Sequence, residues 1–312
     1  MSVIKSLSVG DGDMFYINHS SDNFTIIDCC MTGDNKRYIT AELKELSSSK
    51  GITRFISTHP DNDHIMGLKY LDNEIDIVNF YCVNNKAVKS EYTDDFIRYC
   101  NLRDSDKAFY IYNGCSRKWM NDSDDERGSA GISILWPKMD NLYFKNALKE
   151  AEIGRSPNNI SPIIQYSLEG GVTAVWMGDL ETEFLELIAG ELELPKTDIL
   201  FAPHHGRDSG RIPNELLKMM SPKIIVIGEA PSRHLNYYNG YNTITQNSAG
   251  DIEFDCDGSH VHVFAGNRQY RVNFLQRNND LSSLPHYVGT MPTHAYDVKQ
   301  FEELVNILCQ SR

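Results

Sequence analysis

No run in the sequence approaches the ~18 consecutive apolar residues of a membrane span, and the amino terminus lacks the basic and apolar blocks of a signal peptide. The expectation is a soluble, cytoplasmic protein with no membrane partner. No C-x-x-C pair occurs among the seven cysteines, an odd number, so neither a disulfide framework nor a structural zinc site is indicated. Lys/Arg tracts that would track a nucleic-acid backbone are also missing, and the net charge is −13. A phosphate-bearing substrate would therefore have to be held by a local site or a metal, against the global field. No Ser-His-Asp or Cys-His spacing argues for a covalent nucleophile. Finally, none of the ten histidines falls between 65 and 203, so any histidine-rich centre must join distant segments.

What is present is concentrated at strand ends. Residues 57 to 68 read Ser-Thr-His-Pro-Asp-Asn-Asp-His-Ile-Met-Gly-Leu. The apolar pair Phe55-Ile56 feeds the stretch like a buried strand, and Ile65, Leu68 and Leu71 leave it like a helix face. Alternate side chains of an extended segment share a face, so His59, Asp61 and Asp63 point together and His64 joins them at the turn. The plain alternative is a polar turn whose Asp63 caps the following helix. A second strand, 172 to 177, ends in Gly178-Asp179-Leu180, and a third, 198 to 202, ends in Pro203-His204-His205-Gly206. Together these supply six or more nitrogen and oxygen donors, enough for a divalent pair bridged by one carboxylate, with Asp179 the best candidate for the bridge. Asp28, at the end of the strand Phe24 to Ile27, is either a turn-former or an orienter of metal ligands.

The rest of the chain alternates strands and helices in the manner of a layered fold. Strands are expected at 3–9, 13–18, 24–28, 75–83, 108–112, 132–136, 163–168, 223–227, 251–254, 260–265 and 269–274. Helices are expected at 36–47, 91–102, 140–151, 181–189 and 216–220. The polar segment within 113–131, with four acids in Asn121 to Ser129, reads as a surface insertion, either a solvated loop or a lid. Residues 1–270 are expected to form the main domain. Residues 271–312 form an extension whose helix, roughly 297–309, carries Phe301, Leu304, Val305 and Leu308 on one stripe for the core or a partner.

The motifs, taken in order, resemble the metallo-β-lactamase superfamily, and within it the branch found in ComEC DNA-internalisation (competence) proteins. Val9-Gly10-Asp11-Gly12-Asp13 is similar to V-G-Q-G-D, Ile27-Asp28 to the start of I-D-T-G, and Asn159-Ile160-Ser161 to N-x-S. His59 to His64, Gly178-Asp179-Leu180, His204-His205-Gly206 and the Ser248 to Ile252 turn complete the set, across residues 3 to 265. The resemblance implies an α+β fold, a four-layer αββα sandwich with metals at one edge of its two sheets. It implies one metal subsite from His59 and Asp61, another from Asp63, His64 and one of His204 or His205, and Asp179 between them. Asp28, Asn159 and Ser161 would hold ligands in place.

Three departures stand out. Asp61 replaces the usual second histidine, Asn159 and Ser161 stand where a middle histidine is usual, and Cys30 replaces a glycine. An oxygen-rich first subsite favours harder ions, so the cofactor is one or two divalent ions, Zn²⁺ or Mn²⁺, with Mg²⁺ also admitted. The implied activity is metal-dependent hydrolysis of a phosphodiester, in nucleic acid or a nucleotide. Asp63 would orient water, Asp179 would bridge the ions, and Arg207 would steady developing charge. Arg155, Arg207, Arg211 and His234 are the candidate substrate contacts. Two other readings stand beside it: a hydrolase of a small ester, lactone or amide, or a metal-poor scaffold or effector subunit of a bacterial complex. A protein partner, or a second copy of the chain, could dock through the carboxy-terminal helix.

Overall fold

The computed structural model describes residues 1–33 and 35–310. Its strands are β1 (Ser2–Ser6), β2 (Phe15–Asn18), β3 (Asn23–Ile27), β4 (Cys29–Cys30), β5 (Ile52–Ile56), β6 (Phe80–Cys82), β7 (Ala108–Tyr110), β8 (Ile132–Trp136), β9 (Ile163–Ser167), β10 (Thr173–Trp176), β11 (Ile199–Phe201), β12 (Ile224–Ile227), β13 (Thr243–Thr245), β14 (Ile252–Cys256), β15 (His260–Ala265) and β16 (Tyr287–Pro292). The helices are α1 (Asn35–Ser47), α2 (Asn62–Ile65), α3 (Leu68–Ile75), α4 (Asp94–Arg103), α5 (Leu142–Glu152), α6 (Thr182–Ile188), α7 (Asn214–Met220), α8 (Gln246–Ala249) and α9 (His294–Gln310). They build a nine-stranded sheet, ordered β16-β15-β14-β1-β2-β3-β5-β6-β7, and a six-stranded sheet, ordered β13-β12-β11-β10-β9-β8.

Strand periodicity explains the layering. Along β2, Phe15 and Ile17 face one side and Tyr16 the other, and the same split divides Phe55 from Ile56 and Phe80 from Tyr81. One set packs with Ile134, Ile164, Val175 and Leu200 of the smaller sheet, and this core continues to Phe144 of α5, Leu185 of α6 and Leu216 of α7. The other set packs on Ile39 of α1, Leu68 and Leu71 of α3, and Phe96 and Leu102 of α4. Both faces of each sheet are thus covered, giving the αββα sandwich of the metallo-β-lactamase fold.

Parallel pairing then delivers chemistry to one edge. β3 and β5 run parallel, as do β10 and β11 in the other sheet, and contacts among Asp28, His59, His64, Asp179 and His205 show that the residues following all four strands emerge at the same end. Phe15, Trp176 and Phe201 form an aromatic floor there, with Trp176 stacked on Phe201 at 4.6 Å.

Several sequence expectations are corrected. Residues 75–79 are not strand: α3 runs to Ile75, and Asp72 Oδ1 accepts the Ile77 amide at 2.7 Å, which turns the chain. Residues 269–274 are not strand either, and the outer partner of β15 is β16. Because β16 belongs to the nine-stranded sheet, residues after 270 continue the main sheet. Phe301 is 68 % exposed, so it does not pack on the core, and the side chains of Leu304, Val305 and Leu308 lie outside the described residues. The 113–131 segment is pinned by Arg127 to Asp22, at the start of β3 and opposite the end that bears Asp28, so it does not cover the strand-end cluster.

Candidate metal centre

The centre is assembled from loops tied by their backbones. The Asp28 amide donates to Ile56 at 2.9 Å, the Asp13 amide to Asp63 at 3.1 Å, and the His204 amide to Gly178 at 3.0 Å. Asp28, His204 and His205 all adopt left-handed backbone, with φ of 56°, 52° and 56°. Such φ values cost non-glycine residues roughly 1 to 3 kcal/mol each and persist only where the surroundings enforce them.

Asp63 does not cap the helix after the His59 stretch. Asp61 stands at the cap position of α2, and its side chain makes no cap hydrogen bond. Its Oδ2 lies 3.6 Å from His59 Nε2, and Lys89 Nζ is in direct contact with its Oδ1. Asp179 sits at the middle of the cluster. Its Oδ1 is 3.1 Å from His64 Nε2, and its Oδ2 is 3.7 Å from both His204 Nε2 and His205 Nε2 and 3.9 Å from His59 Nε2. Asp63 Oδ2 is 3.2 Å from His205 Nε2.

One pattern unites the four imidazoles: each has Nδ1 held by the protein and Nε2 aimed at a carboxylate. Nδ1 of His64 is 2.9 Å from Asp28 Oδ2, and that of His205 is 3.0 Å from Asp13 Oδ1. Nδ1 of His204 is 2.9 Å from Ser209 Oγ, and that of His59 is 3.3 Å from Ser161 Oγ. This is how ligating histidines are oriented in metal sites. Among the described residues, His59 Nε2, His64 Nε2 and Asp179 Oδ1 are buried and make no well-aligned hydrogen bond, the 3.1 Å approach of the last two included, an arrangement a divalent cation would satisfy. Donor atoms of Asp13, His64, Asp179 and His205 all lie within 4.8 Å of one another. The residues therefore fit a divalent ion of nitrogen and oxygen preference.

Without an ion, the charges compensate one another. Burial opposes protonation of His64, but Asp179 and Asp28 outweigh it and raise its pKa well above the ordinary value. Burial likewise opposes a charged His205, yet Asp13 and Asp179 raise it to about 10. Burial and the neighbouring His64 lower His59 to about 4. Burial would raise Asp63, but the hydrogen bond from His205 and the charge of His64 bring it to about 2. Burial and Asp63 push the Cys30 thiol up to about 12, so it stays protonated and is a poor metal ligand.

The remaining predicted residues divide. Asp28 accepts from the Thr58 amide at 2.7 Å and the Thr58 hydroxyl at 2.6 Å besides facing His64. The Ser161 hydroxyl accepts the Asp179 amide at 3.2 Å. Asn159 is turned elsewhere: its Nδ2 donates to Glu181 Oε2 at 2.7 Å and its Oδ1 accepts the Glu181 amide at 3.0 Å. Arg207, Arg211 and His234 line one groove of about 780 Å³ with Glu181, Thr182, Glu183, Glu186, Asp208 and Ser209. Arg207 also reaches Asp11 at 3.1 Å. Arg155 is not among these lining residues, and its exposed side chain pairs with Glu150 at 2.5 Å.

Two residues at the centre carried no assigned role in the sequence reading. Asp13 is signalled by the glycine-flanked motif at 9–13, whose tight turn brings it to His205. Lys89 follows β6 in an irregular segment, and no spacing signals it.

Residues 7–106 match the sequence model of the metallo-beta-lactamase superfamily. No curated protein matches the sequence. Among solved structures, Igni18, a metallo hydrolase of the hyperthermophilic archaeon Ignicoccus hospitalis, is 12 % identical, with 81 % of this chain and 99 % of that one covered and a TM-score of 0.47. A Thermotoga maritima protein, assigned to the metallo-β-lactamase superfamily as a Zn-dependent hydrolase, is 13 % identical over 74 % and 78 % of the two chains, with a TM-score of 0.32. CmlA, a diiron β-hydroxylase of Streptomyces venezuelae, is 13 % identical over 73 % and 44 %, with a TM-score of 0.38. The family match thus covers about a third of the chain, and the two covered sheets form the metallo-β-lactamase fold.

Proposed function

We propose that the protein is a metal-dependent phosphodiesterase acting on a nucleotide or a short nucleic-acid end. The observation that carries this reading is the groove in which Arg207, Arg211 and His234 gather beside Glu181, two residues from Asp179. The ComEC-like motif set supports the same substrate class. Glu181, Glu183, Glu186 and Asp208 line the groove as well, so its field suits one phosphodiester held by local contacts better than a long polyanion.

One or two divalent ions held by the His Nε2 atoms, Asp63 and Asp179 would supply Lewis acidity toward water and a phosphoryl oxygen. Asp63 has its side chain 31 % exposed, so one face remains open to accept the proton of an attacking water. Arg207 and Arg211 would bind non-bridging oxygens and steady the charge that grows on them. The aromatic floor of Trp176 and Phe201 keeps the base of the centre dry, which strengthens these interactions.

The test is turnover of bis-nitrophenyl phosphate, cyclic nucleotides, and single- and double-stranded DNA and RNA by protein loaded with Mn²⁺, Mg²⁺ or Zn²⁺. Cleavage abolished by Asp63→Asn and by His64→Ala is expected. Faster cleavage of neutral esters or lactones would favour acyl hydrolysis, the reading suggested by the −13 charge. Absence of any turnover dependent on those two residues would overturn the hydrolase.

A further inference from the structure

The two sides of Asp179 are unequal. On one side Asp13, His64, Asp179 and His205 converge within 4.8 Å, and Asp63 adds an oxygen 3.2 Å from His205 Nε2. On the other, His59 and Asp61 face each other at 3.6 Å, but Asn159 is spent at both ends on Glu181. Lys89 Nζ already rests on Asp61 Oδ1, and both side chains are mostly covered, 22 % and 26 % exposed. We propose that Lys89 is the second cation of the centre: its ammonium takes the place of a second metal ion at Asp61, leaving one divalent ion seated by Asp63, His64, Asp179 and His205.

The argument is one of competition for a carboxylate. A divalent ion bound to Asp61 would face the Lys89 ammonium across the same group, and two cations on one carboxylate repel. An ammonium there can meanwhile supply the positive charge that a second ion would, with no deprotonated ligands to assemble. The inference rests on the metal-centre reading of the cluster and is independent of which substrate is cleaved.

The experiment is metal counting on the full chain, saturated with Mn²⁺ or with Zn²⁺, freed of excess and analysed by mass spectrometry, alongside calorimetric titration. Wild type is expected to hold about one ion, and Lys89→Arg to do the same. Lys89→Met is expected to gain a second, weaker binding step, which for Mn²⁺ also appears as a coupled two-ion signal in electron paramagnetic resonance. Asp61→Asn is expected to keep its single ion with affinity within about threefold of wild type, and serves as the test should Lys89→Met fail to fold. Two firmly held ions in wild type, no second step in folded Lys89→Met, or loss of the ion in Asp61→Asn would each overturn the assignment. No ion bound to wild type would overturn the metal centre itself.

Discussion

Asp28 Oδ2 lies 2.9 Å from His64 Nδ1, with both side chains buried and Asp28 in left-handed backbone at φ 56°. This contact fixes which nitrogen of His64 faces Asp179.

Replacing Asp28 by Asn tests that role. The amide can accept from only one oxygen, so either Thr58 or His64 loses its acceptor and a buried donor is stranded. Metal affinity is expected to fall about 10- to 100-fold, the usual cost of removing a carboxylate behind a ligating imidazole. The metal-free protein should lose roughly 1 to 3 kcal/mol. Calorimetric titration with Zn²⁺ and melting in chelator measure the two effects, and unchanged affinity would argue against an orienting role.

The two adjacent histidines should differ. His205 is fully buried between Asp13 and Asp63, whereas His204, among the carboxylates of the described residues, meets only Asp179 and leans on Ser209. His205→Ala is expected to lose bound metal almost entirely and to cost at least ~2 kcal/mol, because it leaves Asp13 buried and unpaired. His204→Ala should retain the ion and lose turnover. Metal content of the two variants after desalting decides the matter, and equal loss in both would refute the distinction.

How much of this was legible in the sequence depends on where the causes lie. The strand ends at Ile56, Trp176 and Phe201 were readable because short apolar runs bounded by Gly, Pro and charged residues leave no alternative. The convergence on Asp179 was readable because three such ends carried donors. The outer strand was not. Tyr270, Val272 and Phe274 alternate like a strand, while Gly289 and Pro292 inside β16 read as turn residues. In the folded chain a side chain at Gly289 would meet Leu275 Cβ at 2.5 Å, so its glycine serves close packing and not a turn. Asn159 was misplaced for a related reason. Motif order put it opposite Asp61, but the backbone of Glu181 offered its amide a closer partner. Lys89 joins the centre purely through tertiary approach, for which a single sequence holds no pattern.

Metal binding should expel protons. In the metal-free chain His64 is raised well above its ordinary pKa and His205 to about 10, so both are protonated at pH 7. Ligation through Nε2 requires the neutral ring, so about two protons should leave per binding event. Because the folded values are raised, the imidazolium pairs stabilise metal-free protein fully below about pH 6.5. That contribution is lost as pH rises through about 10 for His205. Titrations at pH 7 in two buffers of different ionisation enthalpy count the protons, and a heat independent of buffer would contradict the pairing.

Gly178 is a tight geometric requirement of the centre, and a pair of variants isolates it. Its φ is +50°, and a methyl group there would sit 2.7 Å from Ser161 Cβ and Oγ and 2.9 Å from Thr58 Cβ. Those two residues flank His59 Nδ1, and Ser161 also receives the Asp179 amide. Gly178→Ala must therefore move the groups that aim His59 and the ligand Asp179, besides adopting an unfavourable backbone. Gly170, in the hairpin between β9 and β10, has φ +64° but no atom within 4 Å of the same position. Gly170→Ala should pay the backbone cost alone, about 1 kcal/mol, and keep its metal. Gly178→Ala should cost a further ~1 to 3 kcal/mol and lose metal affinity. Denaturant melts in chelator, with metal content measured in parallel, separate the two; equal stability loss and equal metal content would show that the crowding at Ser161 is relieved without disturbing His59 or Asp179.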